Sequence, residues 1–425
     1  MSETENETLA RQAWMAHPAT VAVMGALTAV AGEDGARFVG GCVRDALLGR
    51  EVGDVDIATV LTPPQVKAAL EAARIAAVPT GEAHGTITAL SQGRPFEITT
   101  LRRDVETDGR HAVVAFTTDW REDAARRDFR LNALYADGRG VILDPTSHGV
   151  ADARAGAIVF VGEPLARIRE DALRILRFFR FLAWYGRGEP DAAGLAACAE
   201  LKDLAAGLSA ERVAKELLGL LAASDPRAAV RLMAAAGVLA VVLPEAVGPH
   251  SVGLARFERL AAIETEQTFE ADAVLRLAAL LPDNAAVALT AADRLRLSNA
   301  QKLRLVAAAA PDPAIVSWMS PKAVRQHVYR LGADAFCDKV MLAWAASERP
   351  AASVQWRALI PMARTWPRPS LPLTGEEVMA AGVPRGPMVG KVLAEVESWW
   401  ADNDFPADKL SLIERLKAVA QGMAY

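Results

Sequence analysis

Cysteine is scarce in this chain of 425 residues: three in all, Cys42, Cys198 and Cys337. They are too scattered for a zinc knuckle or a disulfide framework, and the expectation is three small buried thiols in a reducing cytosol. Aromatic residues are also few, 6% against 52% hydrophobic overall, so alanine carries much of the apolar content, as in Ala307 to Ala310. Alanine is the strongest helix former, which predicts a mainly helical protein. Long apolar runs are missing too. Val21 to Ala31 and Leu232 to Leu243 are interrupted by Gly or Thr and fall short of the roughly 20 residues that cross a bilayer. An excess of positive charge is absent, with 47 Lys+Arg against 52 Asp+Glu and a net charge of −5, which argues against a generic nucleic-acid coat. The segment Met1 to Glu7 is acidic and polar, the wrong charge for the start of a secretory signal peptide. These absences together predict a cytoplasmic protein with no membrane span. At about 150 residues per domain, the length predicts two to four domains.

Against this acidic average, Arg167 to Arg187 contains six arginines and two acids, a local charge of +4. Up to about residue 160 the chain carries short β-type runs: Ala36 to Val39, Val55 to Val60, Phe96 to Leu101, Val141 to Leu143 and Ile158 to Val161. After Gly162-Glu163-Pro164 the β signal gives way to helical periodicity. Ser224-Asp225-Pro226 and Pro311-Asp312-Pro313 read as breaks between helix groups. Four prolines from Pro361 to Pro372 read as an extended connector.

Two patterns carry chemistry. In Phe38-Val39-Gly40-Gly41-Cys42-Val43-Arg44-Asp45, a strand runs into two glycines and a helix. Without Cβ atoms at the turn, a phosphate can approach free backbone N–H groups, and Arg44 adds a cation one turn later. Gly-Gly before a helix is also an ordinary tight turn. Asp54 and Asp56 follow at i and i+2. On a strand they would face one side, about 6 to 7 Å apart. Such a pair repels itself unless neutralised. A solvated strand edge is one solution; a hard divalent cation, taking carboxylate and substrate phosphate oxygens, is the other. Glu97, on the run Phe96 to Leu101, is a candidate third carboxylate.

The string Gly-Gly-x-Val-Arg-Asp-x-Leu-Leu-Gly followed by Asp-x-Asp resembles the signature of the class II tRNA nucleotidyltransferase and bacterial poly(A) polymerase family. Further family motifs follow in order. Arg126-Arg127-Asp128-Phe129-Arg130-Leu131-Asn132-Ala133 resembles Arg-Arg-Asp-Phe-Thr-x-Asn-Ala, with Arg130 in place of Thr. In that motif Arg127 adds a phosphate cation, and Asp128 and Asn132, four apart, can brace the turn. Asp144-Pro145-Thr146-Ser147-His148-Gly149 stands where the family is richer in glycine, and Glu170-Asp171-Ala172-Leu173-Arg174 resembles its Glu-Asp-x-x-Arg. Asp171, Arg174, Arg177 and Arg180 step by three, which predicts one stripe on one helix. An ion-pair network to neighbouring helices is one use for such a stripe, and nucleotide binding the other. Ser209-Ala210-Glu211-Arg212, ending at Glu216, resembles a helix-capping motif and is read as structural. Leu373 to Gly390 reads as a helix, a Gly/Pro turn and a second helix.

The resemblance implies an α+β fold: a polymerase-β-like nucleotidyltransferase head with a small mixed sheet, then an all-helical neck, body and tail. The expected boundaries are 1–162, 163–225, 226–312 and 313–425. It also implies template-independent addition of C, C and A to the tRNA 3′ end from CTP and ATP. Mg²⁺ would sit on the catalytic pair Asp54 and Asp56. Gly41, Arg44, Arg127, Arg177 and Arg180 would hold phosphates, while Asp171 and Arg174 read the base edge. An Asp accepts an exocyclic amine and an Arg donates to a ring nitrogen, which suits C and A and mismatches G and U. The loop Asp104 to Phe116 lies where the family has a mobile loop, and His84-Gly85-Thr86 looks more like the tRNA enzymes. A poly(A) polymerase, an enzyme adding only CC or only A, and a catalytically silent RNA-binding scaffold stay open as alternatives.

Overall fold

The computed structural model describes residues 8–9, 12–81, 85–107, 112–247, 253–347, 353–406 and 408–422. They form two compact units, Met1–Pro244 and Glu245–Tyr425. The first is built on a seven-stranded mixed sheet of order β3-β4-β5-β2-β1-β8-β9. Its strands are β1 (Ala36–Val39), β2 (Asp56–Thr59), β3 (Ala76–Gly81), β4 (Thr86–Ser91), β5 (Arg94–Thr100), β8 (Tyr135–Ala136) and β9 (Ile142–Leu143). A separate hairpin joins β6 (Arg102–Thr107) to β7 (Ala112–Phe116). The expected loop at 104–116 is therefore largely strand, with its tip, 108–111, outside the described residues. His84 lies outside them as well.

Strand alternation sorts the sheet's side chains. Phe38, Ile57, Ile87, Phe96 and Ile98 enter a core with Val23, Leu27, Val66 and Leu70 of helices Pro18–Ala31 and Pro63–Ala72. Both helices start with proline, which is pre-set for the first turn. His17 Nδ1 accepts from Ala19 N at 3.2 Å at one start, and a Thr62/Gln65 capping box closes the other. Val39, Ala58, Leu101 and Tyr135 belong to a second cluster. Asp56, two residues before Ala58, shares Ala58's face of the sheet.

The expected strand at Ile158 to Val161 is not formed. Phe160 makes only an isolated bridge to Phe129, because its ring stacks on Phe178 at 5.6 Å and tilts against Phe129 at 4.9 Å. Packing to a helix replaces the strand pairing its β-type residues suggested. From Pro164 the first unit is helical, and Leu173–Tyr185 buries Ile175, Leu176, Phe178, Phe179 and Phe181.

In the second unit, helices from Gly253–Glu266 to Ser353–Thr365 enclose the ion pair of Arg276 and Glu264 at 2.6 Å, both buried. A distinct core of Val378, Val392, Val396, Trp400, Leu412 and Leu416 holds the last three helices. The helix, turn and helix expected at 373–390 are present as Gly375–Ala380 and Pro387–Asp402. Pro361 is no part of a connector: it lies inside Ser353–Thr365. There the Trp356, Leu359, Ile360 and Ala363 face is buried, so packing overrides the local cost of the proline.

Phe129 joins the loop after Trp120–Ala125 to the arginine-bearing helix, touching Phe160 and Phe181. Phe129→Ala should lower the unfolding free energy of this unit by about 3 to 5 kcal/mol in urea titration; a loss under about 1 kcal/mol would contradict this packing.

Candidate active site

The turn Gly40-Gly41 lies between β1 and the short helix Gly41–Leu47. Gly40 has φ 71° and ψ −119°, a backbone conformation that L side chains rarely adopt. Its N–H donates to Leu134 O at 3.0 Å, which pins the turn to the loop preceding β8. Gly41 differs: a Cβ there would meet nothing nearer than Arg44 Nη2 at 3.7 Å. Protein packing does not demand glycine at 41, and the space beside it is open.

Asp56 opens β2, in parallel register with Glu97 of β5. Asp54 is not on the strand as expected but in the bend before it, and is exposed. The reason is pairing: the β2 ladder to β5 begins only at Asp56. Burial, then the charges of Glu97 and Asp54, push the Asp56 carboxyl up to about 6, opposed by Arg127. Three acids and Arg127 thus share one field. Among the described residues no three His, Cys, Asp or Glu side chains close into a ready-made metal cage.

Arg44 is 6% exposed. It donates to Asn132 Oδ1, to Asp45 at 3.0 and 2.8 Å and to Tyr185 Oη at 2.6 Å. Its Cζ lies 4.0 Å from the Tyr185 ring centroid. Arg127 donates through Nη2 and Nε to Asp123 Oδ2, at 2.9 and 3.2 Å, and through Nε to Tyr135 Oη at 3.0 Å. The bracing expected of Asp128 and Asn132 is present, Asn132 Nδ2 donating to Asp128 Oδ1 at 3.1 Å. Arg130 turns elsewhere, to Asp152 at 3.7 Å.

Arg174, Arg177 and Arg180 lie on the helix Leu173–Tyr185, but Asp171 does not. It is the extended residue (φ −148°, ψ 104°) closing the preceding helix, Pro164–Glu170. Its Oδ1 accepts from Leu173 N at 3.1 Å, which starts the arginine helix, and its Oδ2 from Arg212 Nη2 at 2.7 Å. Arg174 donates to Glu170 Oε2, Arg167 O and Arg126 O at 2.7, 2.7 and 2.8 Å. Arg177 pairs with Asp128 at 2.6 Å and with Glu216 at 3.5 Å, and Arg180 with Glu216 at 2.5 Å. The ion-pair network that the stripe allowed is therefore present. Burial raises the Asp128 pKa, but Arg177 and Asn132 outweigh it and hold the carboxyl below its usual value.

Two residues of this site were not singled out in the sequence. Glu216, read there as part of a capping motif, is 4% exposed and serves both Arg177 and Arg180. The Ser209 hydroxyl makes no capping bond, although Ser209 holds the N-cap position. Asp123 was missed altogether. The one available signal for Glu216 was an acid on the buried face of an amphipathic helix.

Comparison with known proteins decides the family. Residues 36–159 match the model described as Poly A polymerase head domain. Residues 190–247 match that described as Probable RNA and SrmB- binding site of polymerase A. The CCA tRNA nucleotidyltransferase 1, mitochondrial, of Mus musculus is 33% identical over 90% of this chain and 86% of its own length. This chain belongs to the CCA-adding tRNA nucleotidyltransferase family. The CCA-adding enzyme of Levilactobacillus brevis is 30% identical, with 89% of this chain and 92% of that protein covered. The fold agrees: the crystal structure of the Bacillus stearothermophilus CCA-adding enzyme in complex with CTP superposes with a TM-score of 0.74 at 26% identity, covering 96% of this chain and 100% of that one. Among the described residues no helix is long and apolar enough to cross a membrane.

Because the folded-state pKa of Asp56, about 6, lies above the 3.8 of an ordinary Asp, its contribution to stability is complete below about pH 4 and is lost as pH rises through about 6. Asp56→Asn should therefore be the more stable protein at pH 7, by about 1 to 2 kcal/mol after solvent screening, with the difference vanishing near pH 4. Thermal melts across that range without divalent cations check it; equal melting temperatures at pH 7 would refute the strained carboxylate.

Proposed function

We propose that this protein adds C, C and A to the tRNA 3′ end from CTP and ATP, releasing pyrophosphate. The observation that carries the reading is the field at the start of β2, where Asp54, Asp56 and Glu97 meet Arg127 next to the open Gly40-Gly41 turn. The donors are hard carboxylate oxygens, and the raised Asp56 pKa marks negative charge in want of a cation. Both fit Mg²⁺ better than a soft metal. Asp54 and Asp56 would hold it, and when bound it supplies Lewis acidity to the attacking hydroxyl and the α-phosphate.

The chain's own residues do the rest. Gly41 leaves room for phosphate oxygens, and Arg44, Arg127, Arg177 and Arg180 bring four guanidinium charges to the leaving pyrophosphate. Arg177 and Arg180 keep 29% and 24% of their side chains exposed, so each can share its charge with a phosphate without leaving its acid. The 3′-hydroxyl loses its proton to solvent and its oxygen forms the new bond to the α-phosphorus as the bond to the bridging oxygen breaks, the electron pair leaving with the pyrophosphate. Asp171 and Arg174 read the base. The Asp171–Arg212 bridge is partly open to solvent, 38% and 47% exposed, and such a pair holds only about 0 to 1 kcal/mol. An exocyclic amine of cytosine or adenine can therefore take its place. Residues 163–225 thus act as the neck that selects the base, after a catalytic head at 1–162, and the body at 226–312 and tail at 313–425 carry tRNA. Three buried free cysteines support a reducing compartment, and we assign the cytoplasm.

Purified protein with Mg²⁺, CTP and ATP should extend tRNAs ending before CCA, after C and after CC to a complete CCA end and stop, read at single-nucleotide resolution. Products of CC alone, A alone or long A tails would replace the reading with a split-activity enzyme or a poly(A) polymerase. Asp54→Ala and Asp56→Ala should each cut transfer by about a thousandfold or more while melting cooperatively; near-normal turnover in either would overturn the assignment.

A further inference from the structure

Asp123 is not itself assigned to substrate, yet it holds a residue that is, Arg127. It lies on the helix Trp120–Ala125 and is 1% exposed. Its Oδ1 accepts from Arg126 Nε at 2.8 Å, Arg126 Nη2 at 2.7 Å and Arg102 N at 3.3 Å. Its Oδ2 accepts from Arg127 Nη2 at 2.9 Å, Arg127 Nε at 3.2 Å and Tyr135 Oη at 2.7 Å. One carboxylate thus divides two neighbouring arginines between its oxygens.

The division leaves Arg127 with one donor group to spare. Nε and Nη2 are taken by Asp123 and Tyr135, while Nη1 has no hydrogen-bond partner among the described residues. A Cβ placed on Gly40 would lie 3.7 Å from that same Nη1, so the spare nitrogen faces the Gly-Gly turn. Tyr135, the second strut, pairs with Val39 across β1 and β8, the residue just before the turn. The guanidinium and the turn are therefore referenced to one strand pair.

We propose that Asp123 is a positioning residue: with Tyr135 it clamps Arg127 so that Nη1 meets a phosphate of the bound nucleotide at the Gly40-Gly41 turn. This rests on the assignment of Arg127 to the nucleotide's phosphates. Geometry carries it, and electrostatics agree. Burial raises the Asp123 pKa, but Arg127, Arg126 and the Tyr135 hydroxyl outweigh it and bring it down to about 2. The clamp is charged at any pH where the enzyme works. A guanidinium held through two nitrogens by one carboxylate oxygen and by the Tyr135 hydroxyl loses little orientational freedom when a phosphate arrives, so more of its affinity is realised.

The test is a double-mutant cycle on the full chain with Mg²⁺ and tRNA, reading KM and kcat for CTP and ATP, and inhibition by pyrophosphate as a probe of the phosphate site alone. Asp123→Asn keeps the shape but turns one oxygen into a donor. It should raise KM and weaken pyrophosphate inhibition about tenfold with kcat changed less than about threefold, and the effect should disappear in an Arg127→Ala background. An unchanged KM in Asp123→Asn while Arg127→Ala raises it, or an equal loss in both backgrounds, overturns the clamp and leaves Arg127 in its role. Arg127→Ala with unchanged KM and pyrophosphate inhibition overturns the phosphate assignment itself, and the clamp with it. Should Asp123→Asn fail to melt cooperatively, Tyr135→Phe decides. A rise of about threefold that vanishes without Arg127 supports the clamp, and no rise overturns it.

Discussion

Buried positive charge that must find a partner is the constraint from which the first unit, Met1–Pro244, is built. Arg44 reaches Asn132, Asn132 reaches Asp128, Asp128 takes Arg177, and Glu216 takes Arg177 and Arg180. The chain runs from the Gly-Gly turn through the Arg-Arg-Asp loop to the helices Leu173–Tyr185 and Ala210–Leu221. A surface pair would contribute at most about 1 kcal/mol. Removing one partner from a pair this buried costs about 3 to 5 kcal/mol, because a charge is left without compensation. The network therefore sets where the loop and the two helices stand, even if its net contribution to stability is small.

Aromatic rings also lie against arginines of this network. Arg44, Arg177 and Arg180 lie 5.4, 5.3 and 4.9 Å from the Phe181 ring centroid, and Arg44 and Arg50 lie 4.0 and 4.6 Å from that of Tyr185. A ring face attracts a cation without neutralising it. The arginines can be held in place while much of their charge is still offered to an anion. Carboxylates do the reverse: Asp128, Asp123 and Glu216 orient guanidiniums and take part of their charge.

Asp54, Asp56 and Glu97 break the rule that the rest of the unit obeys. Like charges are brought together at the start of β2, where Arg127 opposes them at Asp56. A sequence tolerates such a conflict where something outside the fold resolves it, which is why function concentrates at sites of local inconsistency. The same arginine opposes these acids and is braced by Asp123, so the acidic and cationic halves of the site meet at one side chain.

Much of this was legible in the amino-acid order. Gly40-Gly41, the Asp-x-Asp pair and the arginines at three-residue steps mark their chemistry by local spacing, because a strand repeats every two residues and a helix nearly every four. Alanine content and helical periodicity announced the helical remainder, and a β-rich head was plain. What stayed hidden depends on who lies beside whom. Strand pairing decided that Asp54 falls outside β2, and ring packing that Ile158 to Val161 forms no strand. Helix packing placed Pro361 inside a helix, and extended backbone at Asp171 took it off the arginine helix. Glu216 looks like an ordinary helical acid until the fold carries it across 36 residues onto Arg180, whereas Asp123 stands within helical reach of Arg126 and Arg127 and only its burial and its Tyr135 contact waited on packing. Spacing along the chain determines which groups share a face, but only tertiary packing decides which faces meet, because burial of a charge is settled by all of its neighbours at once.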